Sequence, residues 1–248
     1  MPALWHWLAF LPQSPQSALG HDGHPSTAGV LPTMTNRRRM FAGATITVHE
    51  PLRIGHTVER RTKVANITEK NGRTGPLTFV TVAHRLTFAG QEILDETNDL
   101  VYRAPAPSGA LSAPAAPTKP MVALHDQEWA WGRDVPVDPV LLFRFSALTY
   151  NAHRIHYDRD YATACEGYPG LVVHGPLQAI LLADLLEREI TGTPVRSFTF
   201  RAHTAAFDNG TLRLRGRAHQ DGSIELKVFD DSGNLTLSAT ATLAEAGR

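Results

Sequence analysis

From about residue 197 onward, apolar and polar positions alternate in short runs separated by turn residues. Ser197–Ala206 sets Phe198, Phe200 and Ala202 on one face, and Thr211–His219 sets Leu212 and Leu214 against Arg213 and Arg215. Ile224–Phe229 and Leu235–Leu243 continue the pattern. Asp208-Asn209-Gly210, Asp221-Gly222 and Asp231-Ser232-Gly233-Asn234 supply residues that tolerate tight turns. A period of two with such breaks predicts an antiparallel meander of about four strands. Ahead of it the period changes. Leu177, Ile180, Leu181, Leu182, Leu185 and Leu186 recur at helical spacing, and Gly192 and Pro194 end the run. The helix opens at His174-Gly175-Pro176, where the missing N–H of proline costs nothing. Leu141–Thr149, apolar with partial alternation, reads as a strand; Tyr150–Gly170 reads as a polar, aromatic loop; Leu171–Val173 reads as a short buried run. One helix with one antiparallel sheet is an α+β layout.

The first hundred residues repeat the strand-rich half of that layout. Ala44–His49, Thr57–Ile67, Leu77–Phe88 and Glu92–Tyr102 read as strands, the last two joined at Ala89-Gly90. A Trp-rich apolar segment, Leu4–Leu11, precedes them, but no helix matching the later one is visible. The chain starts at Met1-Pro2-Ala3-Leu4-Trp5, where a leading strand and helix would belong, so the N-terminal unit is expected to be incomplete. Between the two parts lies APAPSGALSAPAAPTKP, residues 104–120, with five prolines among small residues. Such a stretch has little to bury and reads as an extended linker. It divides the chain into 1–103 and 121–248.

Composition narrows the classes. The 248 residues are 42% hydrophobic and 19% charged, which suits an ordinary globular protein. Lys+Arg and Asp+Glu number 24 each. Nucleic-acid binding draws on a basic excess, and none is present overall. No apolar run approaches the roughly 18 residues of a membrane span. The N-terminus lacks a basic stretch, and His6 and Pro12 interrupt its apolar residues, so it does not read as a signal peptide. The single cysteine, Cys165, excludes an intrachain disulfide and points to the cytoplasm.

Histidine is the unusual count, at 12. Its reference pKa near 6.5 makes it the commonest general base. The densest polar cluster is Tyr150-Asn151-Ala152-His153-Arg154-Ile155-His156-Tyr157-Asp158. It reads as an active-site loop or, equally, as a polar surface loop. The i, i+3 spacing of His153 and His156 suits two metal ligands, yet no third is evident in the sequence, so no metal is expected. Gly175 stands at a helix entrance, where free N–H groups and the positive helix end suit an oxygen gaining charge; a plain helix entry is the alternative.

Here the residues meet a known pattern. FSALTYNAHRIHYDRDYA followed by GYPGLVVHGPL resembles the MaoC-like hydratases and dehydratases of the hotdog fold, whose signature runs Asp-x-Asn-Pro-x-His. On that signature Asn151 takes the Asp place, His153 the Asn place, Arg154 the Pro place and His156 the His place, and Tyr161-Ala162 matches an aromatic-Ala pair. Asn151 is the serious departure, because the family's acid is half of its catalytic dyad. The variant Asn-x-His-Arg-Ile-His-Tyr-Asp looks like the mesaconyl-C4-CoA hydratases and the related mitochondrial hydroxyacyl-thioester dehydratases. LWHWLAFLPQSPQSALGHDGHP, RRRMFAG and GRTGPLTFVTVAHR look like the first hotdog of the former, so the resemblance covers nearly the whole chain.

The resemblance implies a double hotdog with a degenerate N-terminal copy, the acyl pocket on that side and the catalytic motif in 121–248. It implies reversible water addition across a double bond conjugated to a coenzyme A thioester, without cofactor or metal. His156 is then the general base, Gly175 the oxyanion donor, and Asn151 a holder of water or substrate carbonyl. Delivery of the α-proton stays unassigned among His156, His153 and Asp158, with His174 also near the chemistry. Arg154, Arg38 and Arg39 are candidates for an acyl carboxylate or coenzyme A phosphate, and Tyr168 with Trp129 or Trp131 for the pocket wall. Of the twelve histidines, only His153, His156 and His174 are expected at the site. Two further readings stay open: a dehydratase of longer 3-hydroxyacyl thioesters, and a non-catalytic thioester-binding protein. A homodimer is a further expectation.

Overall fold

A computed structural model describes residues 1–26, 29–32, 34, 37–72, 75–103 and 128–245. The proline-rich 104–120 segment lies outside the described residues. Nine strands form one antiparallel sheet: β1 (Arg38–Val48), β2 (Glu59–Gly72), β3 (Gly75–Phe88), β4 (Gln91–Arg103), β5 (Trp131–Val137), β6 (Val195–Ala202), β7 (Gly210–Ala218), β8 (Ile224–Phe229) and β9 (Leu235–Leu243). Their order is β2-β3-β4-β1-β6-β9-β8-β7-β5. The two parts of the chain meet where β1 pairs with β6, from Gly43 opposite Arg201 to Thr47 opposite Ser197. The turn of the β3–β4 hairpin follows from its residues. Ala89 (φ 50°) and Gly90 (φ 81°) both occupy the left-handed region, the geometry whose twist matches a two-residue hairpin.

The sheet wraps α2 (Gly175–Glu189). Leu177, Ala179, Leu182, Ala183, Leu185 and Leu186 are buried on α2 and join one core with Phe198, Leu212, Leu214, Leu226 and Leu237 of the strands. The spacing-based helix and the C-terminal meander therefore stand, with strand ends shifted by a few residues. The N-terminal strands stand too, longer than expected, because β2 and β3 pair from Glu59–Thr87 to Gly72–Gly75. Among the described residues of 1–103 the helical elements are two short 3-10 turns, Trp5–Leu8 and Gln16–Ala18. The first is fastened to β4 by Glu96, which bonds His6 Nε2 at 3.0 Å and accepts from Trp7 Nε1 at 2.8 Å.

One expected strand is a helix. Pro139–Thr149 forms α1. Asp138 caps it by accepting from Leu141 N–H at 2.7 Å, Pro139 takes the first turn, and Leu142, Phe145 and Ser146 turn inward at i, i+3, i+4. The first strand of this part of the chain is β5, ahead of α1, which pairs with β7 at the sheet edge.

Candidate active site

The loop after α1 is shaped locally before it meets the rest of the protein. Tyr150 ends α1 in the left-handed region (φ 54°). Asn151 Oδ1 then accepts from His153 N–H at 3.0 Å, which turns the chain and leaves the Asn151 NH2 as the free end of the amide. Arg154–His156 form a 3-10 turn and Tyr161–Cys165 a π-turn, so the segment expected as a polar, aromatic loop carries two short helical turns. Asp158 is spent on this architecture: it accepts from Tyr161 N–H at 3.0 Å and pairs with Arg154 Nη2 at 2.7 Å.

His156 is 8% exposed. Its Nδ1 lies 2.7 Å from the Val172 carbonyl. A carbonyl only accepts, so Nδ1 carries the proton and Nε2 is a bare acceptor. Burial pushes the imidazole down to about 4, against the Val172 bond, with the His24 ring adding to the fall. His156 is therefore neutral near pH 7, the form a base needs. His174 stacks on it at 3.6 Å between ring centres. His174 is itself buried, held by Ser146 Oγ at 2.9 Å, and does not line the cleft. It stands behind His156 and fixes the ring rather than reaching a ligand.

The cleft in front is about 2000 Å³ and open to solvent. Asn151, His153, His156, Gly175, Arg38, Arg39 and Tyr168 line it, together with Phe41 and Tyr102 from the N-terminal strands. The Gly175 N–H begins α2 and has no acceptor among the described residues, as the first turn of a helix dictates. A Cβ built there meets nothing nearer than Phe41 at 4.0 Å, so the space before this N–H is clear.

The arginines separate by their partners. Arg154 is not among the residues lining the cleft: it pairs with Asp158, donates to His21 O at 3.1 Å and lies 4.3 Å over the Tyr161 ring. Arg38 Nε pairs with Glu166 at 2.7 Å and Nη2 donates to Cys165 O at 3.1 Å, fastening the π-turn to β1. Arg39 has no side-chain partner among the described residues, and its charge lowers the proton affinity of both His24 and His153. Trp129 and Trp131 do not wall the cleft. Trp129 sits between Arg217 and Lys227 and touches Phe229, and Trp131 covers Gly216 on β5–β7.

Beyond the expected set of three, His21, His24, His84 and His203 also line the cleft, and of these His24 reaches the motif histidines. His24 packs against His153 with ring centres 4.0 Å apart and planes tilted by 39°, and His156 is edge-on to His153 at 5.4 Å. Asp22 comes with it: Asp22 Oδ2 lies 2.9 Å from His24 Nδ1, and Oδ1 accepts from His24 N–H at 2.9 Å. The ligand-type atoms of Asp22, His24 and His153 lie within 4.8 Å of one another, so His153 meets two partners from the other end of the chain and His156 is not one of the three. The segment Gly20-His21-Asp22-Gly23-His24 was visible in the sequence, but nothing near it pointed to a loop 129 residues away.

Comparison with solved structures gives the same architecture. HtdX of Mycobacterium tuberculosis matches with a TM-score of 0.62 at 19% identity, over 83% of this chain and 75% of that one. A second M. tuberculosis protein, described as having a double hotdog fold, matches with a TM-score of 0.52 at 16% identity, over 85% and 77%. A double hotdog is thus the class that the sheet, the wrapped helix and these likenesses define. More narrowly, the chain belongs to the hydroxyacyl-thioester dehydratase type 2 family, whose model matches residues 4–208. It is similar to the mesaconyl-C(4)-CoA hydratase of Chloroflexus aurantiacus, 49% identical over 98% of this chain and 84% of that protein.

Proposed function

We propose that this protein reversibly hydrates an enoyl-CoA thioester whose acyl group is a short branched dicarboxylate of the mesaconyl-C4 type. The observation that carries this reading is the meeting, in one cleft, of a neutral His156 Nε2, an unpaired Gly175 N–H and an unpaired Arg39. The relative named for that hydratase, alike over nearly the full chain, supports the substrate class.

Each group has work that the reaction requires. In a mesaconyl-C4 thioester the β-carbon carries both a methyl and a carboxylate, and water adds at that carbon. A guanidinium is the natural partner of a carboxylate, and Arg39 is the candidate beside the histidines. His156 Nε2 accepts a hydrogen bond from the incoming water and aims its oxygen at the β-carbon. As the new C–O bond forms, charge moves to the thioester oxygen, and the Gly175 N–H at the positive end of α2 receives it. Asn151 does not ionise; its NH2 donates to the substrate or to the water. No cofactor enters this scheme, since coenzyme A arrives as part of the substrate. With one cysteine and no need of oxidation, the cytoplasm is the proposed location. Among the described residues no helix is long and apolar enough to cross a membrane. A homodimer is part of the proposal, covering the exposed Val140, Phe143 and Leu148 of α1; a monomer by sedimentation would remove it.

The test is an activity screen of the full chain over mesaconyl-C4-CoA, crotonyl-CoA and a long 3-hydroxyacyl-CoA, with the product position assigned by NMR. Preference for the carboxylated thioester, with hydroxyl on the β-carbon, is expected. Turnover confined to the long unbranched thioester overturns the substrate class. Thioester binding without turnover of any of the three overturns the enzyme reading.

A further inference from the structure

His24 is held as a catalytic imidazole is held, from the opposite half of the chain. Burial alone would raise the Asp22 carboxyl, but the side-chain and backbone bonds from His24 work against it and hold it below the usual carboxylate range. An ionised carboxylate only accepts, so His24 Nδ1 carries the proton and Nε2 is the second bare acceptor in the cleft. The His24 and His156 rings flank His153, at 4.0 and 5.4 Å. His24 thus adds a second acceptor nitrogen to the cleft that His156 lines.

The loop that carries this pair is built onto the motif loop. Asp22 O accepts from Arg154 N–H at 2.9 Å, and His21 O accepts from Arg154 Nη1 at 3.1 Å. Between them Gly23, at φ +88°, passes so close that a Cβ would lie 1.8 Å from Ala152 O. Only glycine fits a left-handed position at that approach. Asn151 leaves the motif loop without the acid of the signature, and Asp22 brings a carboxylate to the same cleft.

We propose that Asp22 and His24 form the proton-carrying pair of the hydration, with His156 holding the water, resting on the hydratase reading above. The water donates one hydrogen to His156 Nε2 and the other to His24 Nε2. As the water oxygen bonds to the β-carbon, the proton facing His24 moves to Nε2. The double-bond pair shifts to the thioester oxygen, and the enolate takes that proton back from the His24 imidazolium at the α-carbon. The hydrogen facing His156 stays as the product hydroxyl, and both imidazoles end neutral. His24 carries the proton rather than His156 because its imidazolium forms 2.9 Å from a carboxylate that partly offsets burial and the Arg39 charge, whereas His156 faces a neutral carbonyl and a stacked His174.

The experiment compares the wild type, Asp22→Asn and His24→Gln as full chains on mesaconyl-C4-CoA, with thermal melts as the fold control. Asp22→Asn keeps the size and an acceptor for Nδ1 but removes the charge. Its kcat is expected to fall about 10²- to 10⁴-fold with KM little changed. The acidic limb of kcat/KM moves to lower pH, because the carboxylate that favours the imidazolium is gone. An active wild type with an Asp22→Asn variant within about threefold of it and an unmoved limb overturns the pair. A loss confined to KM overturns it as well, as does activity that EDTA removes and zinc restores, since Asp22, His24 and His153 would then be holding a cation. A wild type inert toward every enoyl-CoA sinks the hydratase reading and the pair with it.

Discussion

Four neutral histidines at one site, His156 and His174 buried and His24 and His153 half-buried, make the fold sensitive to acid in a definite pH window. His156 supplies a number. Its imidazole is pushed down to about 4 in the folded chain, against about 6.5 in an unfolded one. Between those values the unfolded state binds a proton that the folded state refuses. Stability therefore holds above about pH 6.5 and falls as the pH drops toward 4, by about 1.4 kcal/mol per pH unit and about 3 kcal/mol in total. His174, His24 and His153 are lowered too, each chiefly by burial, so they steepen the same fall. The carboxylates held low, such as Asp22 and Glu96, lose their contribution only below about pH 4.5, where their unfolded forms take protons. The window from 6.5 to 4.5 thus isolates the histidines. Urea unfolding at half-unit pH steps measures it, with His156→Gln as the comparison that removes one titrating group. The wild type should lose at least ~1 kcal/mol between pH 6 and 5, and the variant should show a shallower slope. A flat wild-type curve across that window, or an equal slope in the variant, refutes the assignment of His156 as a buried neutral imidazole.

Gly23→Ala combines a strained φ with a Cβ set into Ala152 O, so about 2–4 kcal/mol of stability and most activity should go, read by melts and turnover. Arg39→Gln should raise KM for a carboxylated enoyl-CoA about tenfold or more while leaving crotonyl-CoA nearly unchanged; equal effects on both would remove Arg39 from acyl recognition. Ser146→Ala leaves His174 Nε2 without its 2.9 Å partner and should cost about 1–3 kcal/mol in urea unfolding. Leu182→Ala opens a hole beneath the sheet at a fully buried position and should cost about 2–5 kcal/mol by the same measurement, with little change in KM.

The sequence carried the elements whose two faces differ. β8 and β9 alternate cleanly because one face meets α2 and the other does not, and Ile224–Phe229 and Leu235–Leu243 fall where the period of two puts them. α1 was illegible for the opposite reason. Leu142 and Phe145 are buried, but Val140, Phe143 and Leu148 stand exposed on the same helix, so no polar face marks the helical period. β5 was missed because Gly132 and Pro136 weaken its strand signal. Pro136 is tolerated there because an edge strand has one unpaired side.

The site divides along the same line. His156 and Gly175 were readable because a local motif and a helix start each announce one backbone geometry. Arg154 was read as a substrate ligand from its place in the motif, yet its guanidinium binds Asp158 and His21 O and so secures the two loops to each other. Asp22 and His24 carry no local mark at all. Their meeting with His153 depends on β1 pairing with β6 and on the glycine contact at Ala152, both set by the whole sheet. A signature that spans eight residues registers Asn151 as a lost acid. The folded cleft contains a carboxylate, backing an imidazole, delivered from the half that holds none of the signature.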